Sequence, residues 1–195
     1  MPTTIHLVRH GDYGFIDHAL GGRAPHALSE RGRAQAEALA TRFAACALAA
    51  VVTSPVRRAE ETAAPIAARS GLALERDAAF NEIDFGAWEG ARFAALQDDS
   101  AWLAWNTFRS VAPAPGEAML AVQARVSAGL WRWHQRHPDA AIVVVSHADV
   151  IKAALCHVLG MPLDLMQRLE IAPASTSEIV LADRDVRVRM INQPP

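Results

Sequence analysis

Four short polar clusters carry the residue types that phosphoryl transfer requires: Arg9-His10-Gly11, Ser54-Pro55 with Arg58, Asn81-Glu82, and Ser146-His147. A neutral imidazole is a competent nucleophile near neutral pH, and a covalent intermediate splits one difficult displacement into two easier ones. The group in flight spreads negative charge over its equatorial oxygens, which rigid guanidinium forks hold better than mobile ammonium groups. The chain contains a single lysine, Lys152, so a cationic clamp here is made of arginine. The departing alkoxide needs a proton, and a carboxyl kept partly protonated, such as Glu82, is a natural donor. Asp84 and Glu89 lie nearby in sequence and compete for that role. No histidine pair has metal-ligand spacing, and the chemistry outlined needs neither metal nor cofactor.

Three of these clusters directly follow apolar, β-branched runs, at Ile5 to Val8, Val51 to Thr53 and Ile142 to Val145. Uninterrupted runs of that kind suit strands covered on both faces, as in a parallel sheet. Helical patterns separate them. Ala36, Leu39, Phe43 and Cys46 fall at helical spacing with Ser29 as N-cap. A second helix is expected to open with Ser54 as N-cap and Pro55 at its first position, and to kink or restart at Pro65. A third, from Glu117 to about His137, buries Met119, Val122, Val126, Leu130 and Trp133; Gln123, Arg125, Arg132 and Arg136 read as its solvated face. A fourth follows His147 and stops near Gly160. Residues 178–182 and 186–191 read as a terminal hairpin, which offers an edge strand that a second copy could pair with in a homodimer.

Alternating strands and helices specify an α/β fold with a mostly parallel sheet. In such sheets ligands gather beyond the carboxyl ends of the strands, which would bring His10, Ser54 and His147 together. The stretch from Gly90 to Pro115, with Trp102, Trp105, Pro113 and Pro115, reads either as a helical insertion or lid over the sheet edge, or as a packed excursion that does not touch substrate.

The 195 residues form one expected domain, and a net charge of −2 with interleaved acidic and basic residues gives no basic face for nucleic acid. The longest apolar run, Ala44 to Val52, is too short to span a bilayer, and the N-terminus enters a strand almost at once; a cytoplasmic protein is expected. Cys46 and Cys156 read as small buried hydrophobes.

The segment Leu7-Val8-Arg9-His10-Gly11 resembles the signature of the histidine phosphatases, the superfamily that includes the cofactor-dependent phosphoglycerate mutases. Ser54-Pro55-Val56-Arg57-Arg58-Ala59-Glu60-Glu61-Thr62-Ala63 is similar to that family's second block. Asn81 to Gly90 resembles the third, and Val145-Ser146-His147-Ala148-Asp149 the fourth. The resemblance implies a three-layer α/β/α, phosphoglycerate mutase-like domain. It also implies that His10 is phosphorylated, that Arg9, Arg58 and His147 hold the phosphoryl oxygens, and that Glu82 donates the proton. Gly11 and Ala148 beside the histidines, with Tyr13 and Arg23 in the loop from Asp12 to Ala27, are expected substrate contacts. Asp149 is a candidate to orient His147, or a helix N-terminal charge.

The chain also departs from the mutase pattern. Where mutases and many relatives carry a small hydroxyl residue and an asparagine after the Arg-His-Gly triplet, it has Tyr13 and Ile16. Where mutases carry an arginine pair after a tryptophan in the insertion, Trp105 is followed by Asn106 and Thr107, with a single Arg109 further on. Gly86-Ala87-Trp88-Glu89-Gly90 is closer to the broad phosphatase branch. The expected activity is therefore hydrolysis of a small phosphorylated metabolite, with a phosphomutase and a non-catalytic phosphate binder as alternatives.

Overall fold

The computed structural model describes every residue except Asp17 and Pro113; these two members of the nucleophile loop and the insertion lie outside the described residues. The strands are β1 (Thr3–Arg9), β2 (Leu48–Thr53), β3 (Leu74–Arg76), β4 (Ala141–Ser146), β5 (Thr176–Ala182) and β6 (Asp185–Gln193). They form one six-stranded sheet in the order β3-β2-β4-β1-β5-β6. The first four in that order pair in parallel, while β5 and β6 add an antiparallel hairpin at one edge. The α-helices are α1 (Glu30–Phe43), α2 (Arg57–Ser70), α3 (Phe93–Leu96), α4 (Ser100–Thr107), α5 (Met119–Arg136) and α6 (Ala148–Leu159). The mixed α/β class and central sheet agree with the expectation from sequence.

The core lies in two bodies. In one, Val8, Val51, Val143 and Val145 meet Leu39 and Phe43 of α1 and Ala59, Ala63 and Ile66 of α2. In the other, Ile5, Leu7, Val52, Ile142 and Val144 meet α5 and α6. Alternate residues of β1, β2 and β4 thus belong to different bodies, as the pleat requires. That is why β2 and β4 are almost wholly apolar rather than alternating, while β1 keeps His6 among its apolar residues. The expected stripe of α5, from Met119 to Trp133, is buried, and each such side chain contributes about 1.5–3 kcal/mol of burial.

Local details differ from expectation where side chains have other work. Ser29 caps α1 by accepting from the Gly32 N–H. Ser54 does not cap α2: the helix starts at Arg57 with Val56 as its cap residue, and the Ser54 hydroxyl turns to a histidine described below. The helix runs through Pro65 without restarting. Cys156 is buried, but Cys46 is exposed, because α1 ends at Phe43 and leaves Cys46 in the turn beyond it. The insertion does contain helices, the short α3 and α4. Among the described residues no helix is long and apolar enough to cross a membrane.

Candidate active site

Strand register brings the clusters together. In the parallel pairing of β1 with β4, Arg9 lies opposite Ser146, and in that of β2 with β4, Thr53 lies opposite Val145. The next residue on each strand therefore lands on the same carboxyl edge. The pairing continues one step past the strands, with His10 N–H donating to Ser146 O at 2.9 Å and Ser54 N–H to Val145 O at 2.9 Å. Glu82 arrives from the β3 side, after a short 3-10 turn at Ala78–Phe80. Ser146 Oγ ties that turn to β4 by donating to Phe80 O at 2.8 Å.

His10 is buried, and its Nδ1 lies 2.8 Å from Gly11 O. A carbonyl can only accept, so Nδ1 carries the ring proton and Nε2 is left with a bare lone pair. Arg58 Nε–H donates to that Nε2 at 3.0 Å. Burial, then the Arg58 and Arg9 charges, hold the His10 pKa well below its ordinary 6.5. The ring is therefore neutral and nucleophilic at physiological pH, with its reactive nitrogen facing a cation.

Arg58 is buried and central. Its Nη2 donates to Gly22 O at 2.8 Å, approaches His147 Nδ1 at 3.2 Å and reaches Glu82 Oε2 at 3.4 Å. The ligand atoms of His10, Glu82 and His147 lie within 4.8 Å of one another, a spacing that a metal ion could also use. Here a guanidinium already bonds to all three, so the arrangement complements an anion better than a second cation. These same N–H donors are of the kind that can hold phosphoryl oxygens. Arg9 supplies further positive charge: its Nη1 donates to Ile171 O at 2.6 Å, while its Nε is buried with no partner among the described residues.

His147 is fully buried, and its Nε2 lies 2.8 Å from Ser54 Oγ, which donates onward to Asn81 Oδ1 at 3.1 Å. Desolvation, then Arg58, hold its pKa well below 6.5. A phosphoryl dianion at Nδ1 favours the imidazolium and so raises that pKa again. Glu82 moves the opposite way: burial raises its pKa from 4.5 to about 7, against the pull of Arg58. Its carboxyl thus exists in both forms near neutral pH, as a group that first gives and then takes a proton must. Of the three carboxylates left open by sequence, Glu82 alone faces His147, at 3.5 Å. Asp84 instead bonds the Gly86 N–H and pairs with Arg23. Glu89 is exposed and lies against Gly22.

The expected substrate contacts divide. Tyr13 is buried, 5.5 Å from the His10 ring by centroids, with the Arg58 guanidinium 5.0 Å over its ring. Tyr13 and Ala148 both line a cavity of about 230 Å3 beside Glu82. Ala148 also opens α6, whose first-turn N–H groups favour an anion. Gly11 is a supporting residue: its N–H bonds Thr62 Oγ1 at 3.0 Å and its carbonyl fixes His10. It must be glycine because a Cβ would meet Gly32 O at 2.8 Å. Arg23 does not line that cavity. It is spent on Asp84 and Glu117 and donates from Nε to Glu82 O at 3.0 Å, fixing the acid's backbone.

Arg125, read from sequence as solvated charge, belongs to that same support. It is half-buried, pairs with Glu117 at 2.7 Å and donates to the carbonyls of Ala79 and Glu82. Thr62 was also overlooked, although its place one turn after Arg58 on α2 is a sequence signal for a shared face. Asp149 does not orient His147 but pairs with Arg109 at 3.1 Å.

A buried histidine with a bare ring nitrogen, an arginine clamp and a carboxyl group at the carboxyl edge of an open α/β sheet form a site suited to phosphoryl transfer. The chain belongs to the histidine phosphatase superfamily, branch 1, whose family model matches residues 5–194. It is 36% identical over 197 residues to a bifunctional protein of Mycobacterium tuberculosis, covering 98% of this chain and 54% of that one. The chain thus spans about half the length of that relative. It is 29% identical over 190 residues to the adenosylcobalamin/alpha-ribazole phosphatase of Escherichia coli, covering 95% of this chain and 94% of the relative. The solved structure of a mycobacterial glucosyl-3-phosphoglycerate phosphatase superposes with a TM-score of 0.89 at 26% identity, covering 99% of this chain and all of the other.

Proposed function

We propose that this protein is a phosphomonoesterase that hydrolyses a small phosphorylated metabolite through a phosphohistidine at His10. His10 Nε2 attacks phosphorus, the bond from phosphorus to the ester oxygen breaks, and Glu82 gives its proton to the departing oxygen. Water then attacks the phosphohistidine, Glu82 takes the proton back, and inorganic phosphate leaves with His10 regenerated. Arg9, Arg58 and His147 hold the charge on the phosphoryl oxygens through both steps.

The observation that carries this reading is the bare Nε2 of a buried, neutral His10, set 3.0 Å from the Arg58 donor. Relatives named as phosphatases along nearly their whole length support the hydrolytic outcome. So does the insertion, where Arg109 is engaged by Asp149 rather than left free for a bisphosphorylated cofactor of the mutase type. An exposed free thiol at Cys46 suits a reducing compartment and supports a cytoplasmic location.

Phosphate release from p-nitrophenyl phosphate by wild type and His10→Ala tests the mechanism. Release by wild type alone is expected; equal rates would remove His10 from the reaction. Isomerisation of 3-phosphoglycerate that depends on 2,3-bisphosphoglycerate would replace hydrolysis by a mutase reaction.

A further inference from the structure

The cavity beside Glu82 is the space next to the phosphate clamp, and its charges restrict what it can hold. Phe85, Phe93 and Trp102 give it aromatic surface, and Asn106, Arg109 and Asp149 give it polar groups. Arg109 is the only arginine or lysine among its described lining residues. Its guanidinium is buried and stacked 3.5 Å from the Trp105 ring centroid. Nη1 donates to Asp149 Oδ2 at 3.1 Å and Nη2 to Asn106 Oδ1 at 2.6 Å. The charge is matched and both terminal nitrogens are engaged, while Nε is buried with no partner among the described residues. Lys152 is not among the described lining residues, and its ammonium is tied to the lining amide of Gln167, donating to Oε1 at 3.0 Å, while Arg9 and Arg58 belong to the phosphate. A second anionic group on the substrate would find no unpaired cation among the described lining residues and would meet the carboxyl groups of Asp149 and Glu82. A hydroxyl could instead donate to Asp149 Oδ1, which has no protein partner among the described residues.

Resting on the phosphomonoesterase reading, we propose that the leaving group is an uncharged, hydroxyl-bearing ring, as in a hexose phosphate or nucleoside monophosphate, and that Asp149 excludes acidic esters by neutralising Arg109. The aromatic surface then packs against the apolar face of the ring.

Binding to the His10→Ala protein, which cannot turn substrate over, tests this without requiring catalysis. Calorimetric affinities would be compared for glucose 6-phosphate, adenosine 5′-monophosphate and 3-phosphoglycerate, with inorganic phosphate as a common reference. At least one neutral ester is expected to bind about tenfold or more tighter than 3-phosphoglycerate, a difference of roughly 1.4 kcal/mol. Adding Asp149→Asn should unmask Arg109 and close that gap, while Asp149→Glu should retain it. The proposal is overturned if 3-phosphoglycerate binds as tightly as both neutral esters. It is equally overturned if Asp149→Asn keeps its phosphate affinity and the gap stays unchanged. Should Asp149→Asn fail to fold, the ranking in the His10→Ala protein decides alone. Failure of the phosphatase reading is a separate result, no phosphate released by wild type from any ester, and leaves this ranking intact.

Discussion

The phosphate end of the site and the leaving-group end are built by different means. At the phosphate end, His10, Ser54 and His147 are placed by parallel strand register, and all three are buried and hydrogen-bonded to one another's neighbours. At the other end, α3 and α4 stand outside the sheet and are held by aromatic packing, with Trp105 fully buried against Phe85, Trp88 and Trp102. That region also exposes Leu103, Phe108 and Val111. A sheet edge allows little movement, since shifting one residue in register would turn every side chain to the wrong face. A short helical insertion can exchange side chains while its tryptophan anchor stays. On the proposed function, the division separates the reaction from the choice of ester.

Changes at the sheet edge should therefore damage turnover of every ester alike. His10→Ala removes the atom that forms the covalent bond and is expected to lower kcat/KM by at least about a thousandfold for any leaving group. Mass spectrometry of quenched wild-type turnover should find the added phosphate on His10; its absence under conditions of rapid turnover would reject the covalent route.

Glu82→Gln comes next and separates proton donation from phosphate binding. For alkyl esters, whose alkoxide must be protonated, a loss of roughly a hundredfold to ten-thousandfold is expected. For p-nitrophenyl phosphate, whose phenolate leaves unaided, the loss should be under about tenfold in the first step. Equal losses on both esters would assign Glu82 to binding instead. In wild type, kcat/KM for alkyl esters should fall as pH rises through about 7, where Glu82 loses its proton. Stability should move in the same direction. Because the folded pKa is raised from 4.5 to about 7, the folded state holds this proton more tightly, and that contribution is lost as pH rises between those values. Relative to Glu82→Gln, wild type should lose on the order of 2–3 kcal/mol across that window. Comparing the two proteins cancels the buried histidines, which act in the opposite sense below pH 6.5. Denaturant midpoints at pH 5 and pH 8 would show it.

The same division decides what could be read from the sequence. Strand ends announce themselves, since an apolar run stops at a polar residue, so His10, Ser54 and His147 are legible together, with Arg58 four residues beyond Ser54. The stripe of α5 was legible for the same reason, a period in one residue property. Contacts between segments far apart in the chain carry no such signal. Nothing local to Arg125 says that Glu117 and the Glu82 carbonyl will draw it out of solvent. Nothing beside Asp149 names Arg109, 40 residues earlier, as its partner. The assignment of Ser54 as a helix cap failed for a related reason: its hydroxyl had a better acceptor-donor pair in His147 and Asn81 than a helix terminus offers.

Ser54→Ala tests that last point at moderate cost. It leaves the phosphate clamp in place but frees His147 Nε2, so a loss of about tenfold in kcat is expected on all esters, near the cost of one buried hydrogen bond. A purely structural role would lower the melting temperature without altering the pH profile. A positioning role should move the pH dependence of His147, visible as a changed imidazole nitrogen shift in NMR.

The smallest effect should come from the insertion, and it should be selective. Trp102 is only partly buried and lines the leaving-group cavity, whereas Trp105 is the core anchor. Trp102→Ala removes a ring face from the cavity while leaving the anchor Trp105 in place, so KM for an ester with a bulky ring should rise about threefold to tenfold, as expected for losing one aromatic contact of roughly 0.5–1.5 kcal/mol. Phosphate inhibition constants should change by less than about twofold, because the clamp is seated on the sheet rather than on α4. A uniform loss across esters, with inhibition by phosphate equally weakened, would mean that the insertion shapes the phosphate site as well and that the two ends are one coupled unit.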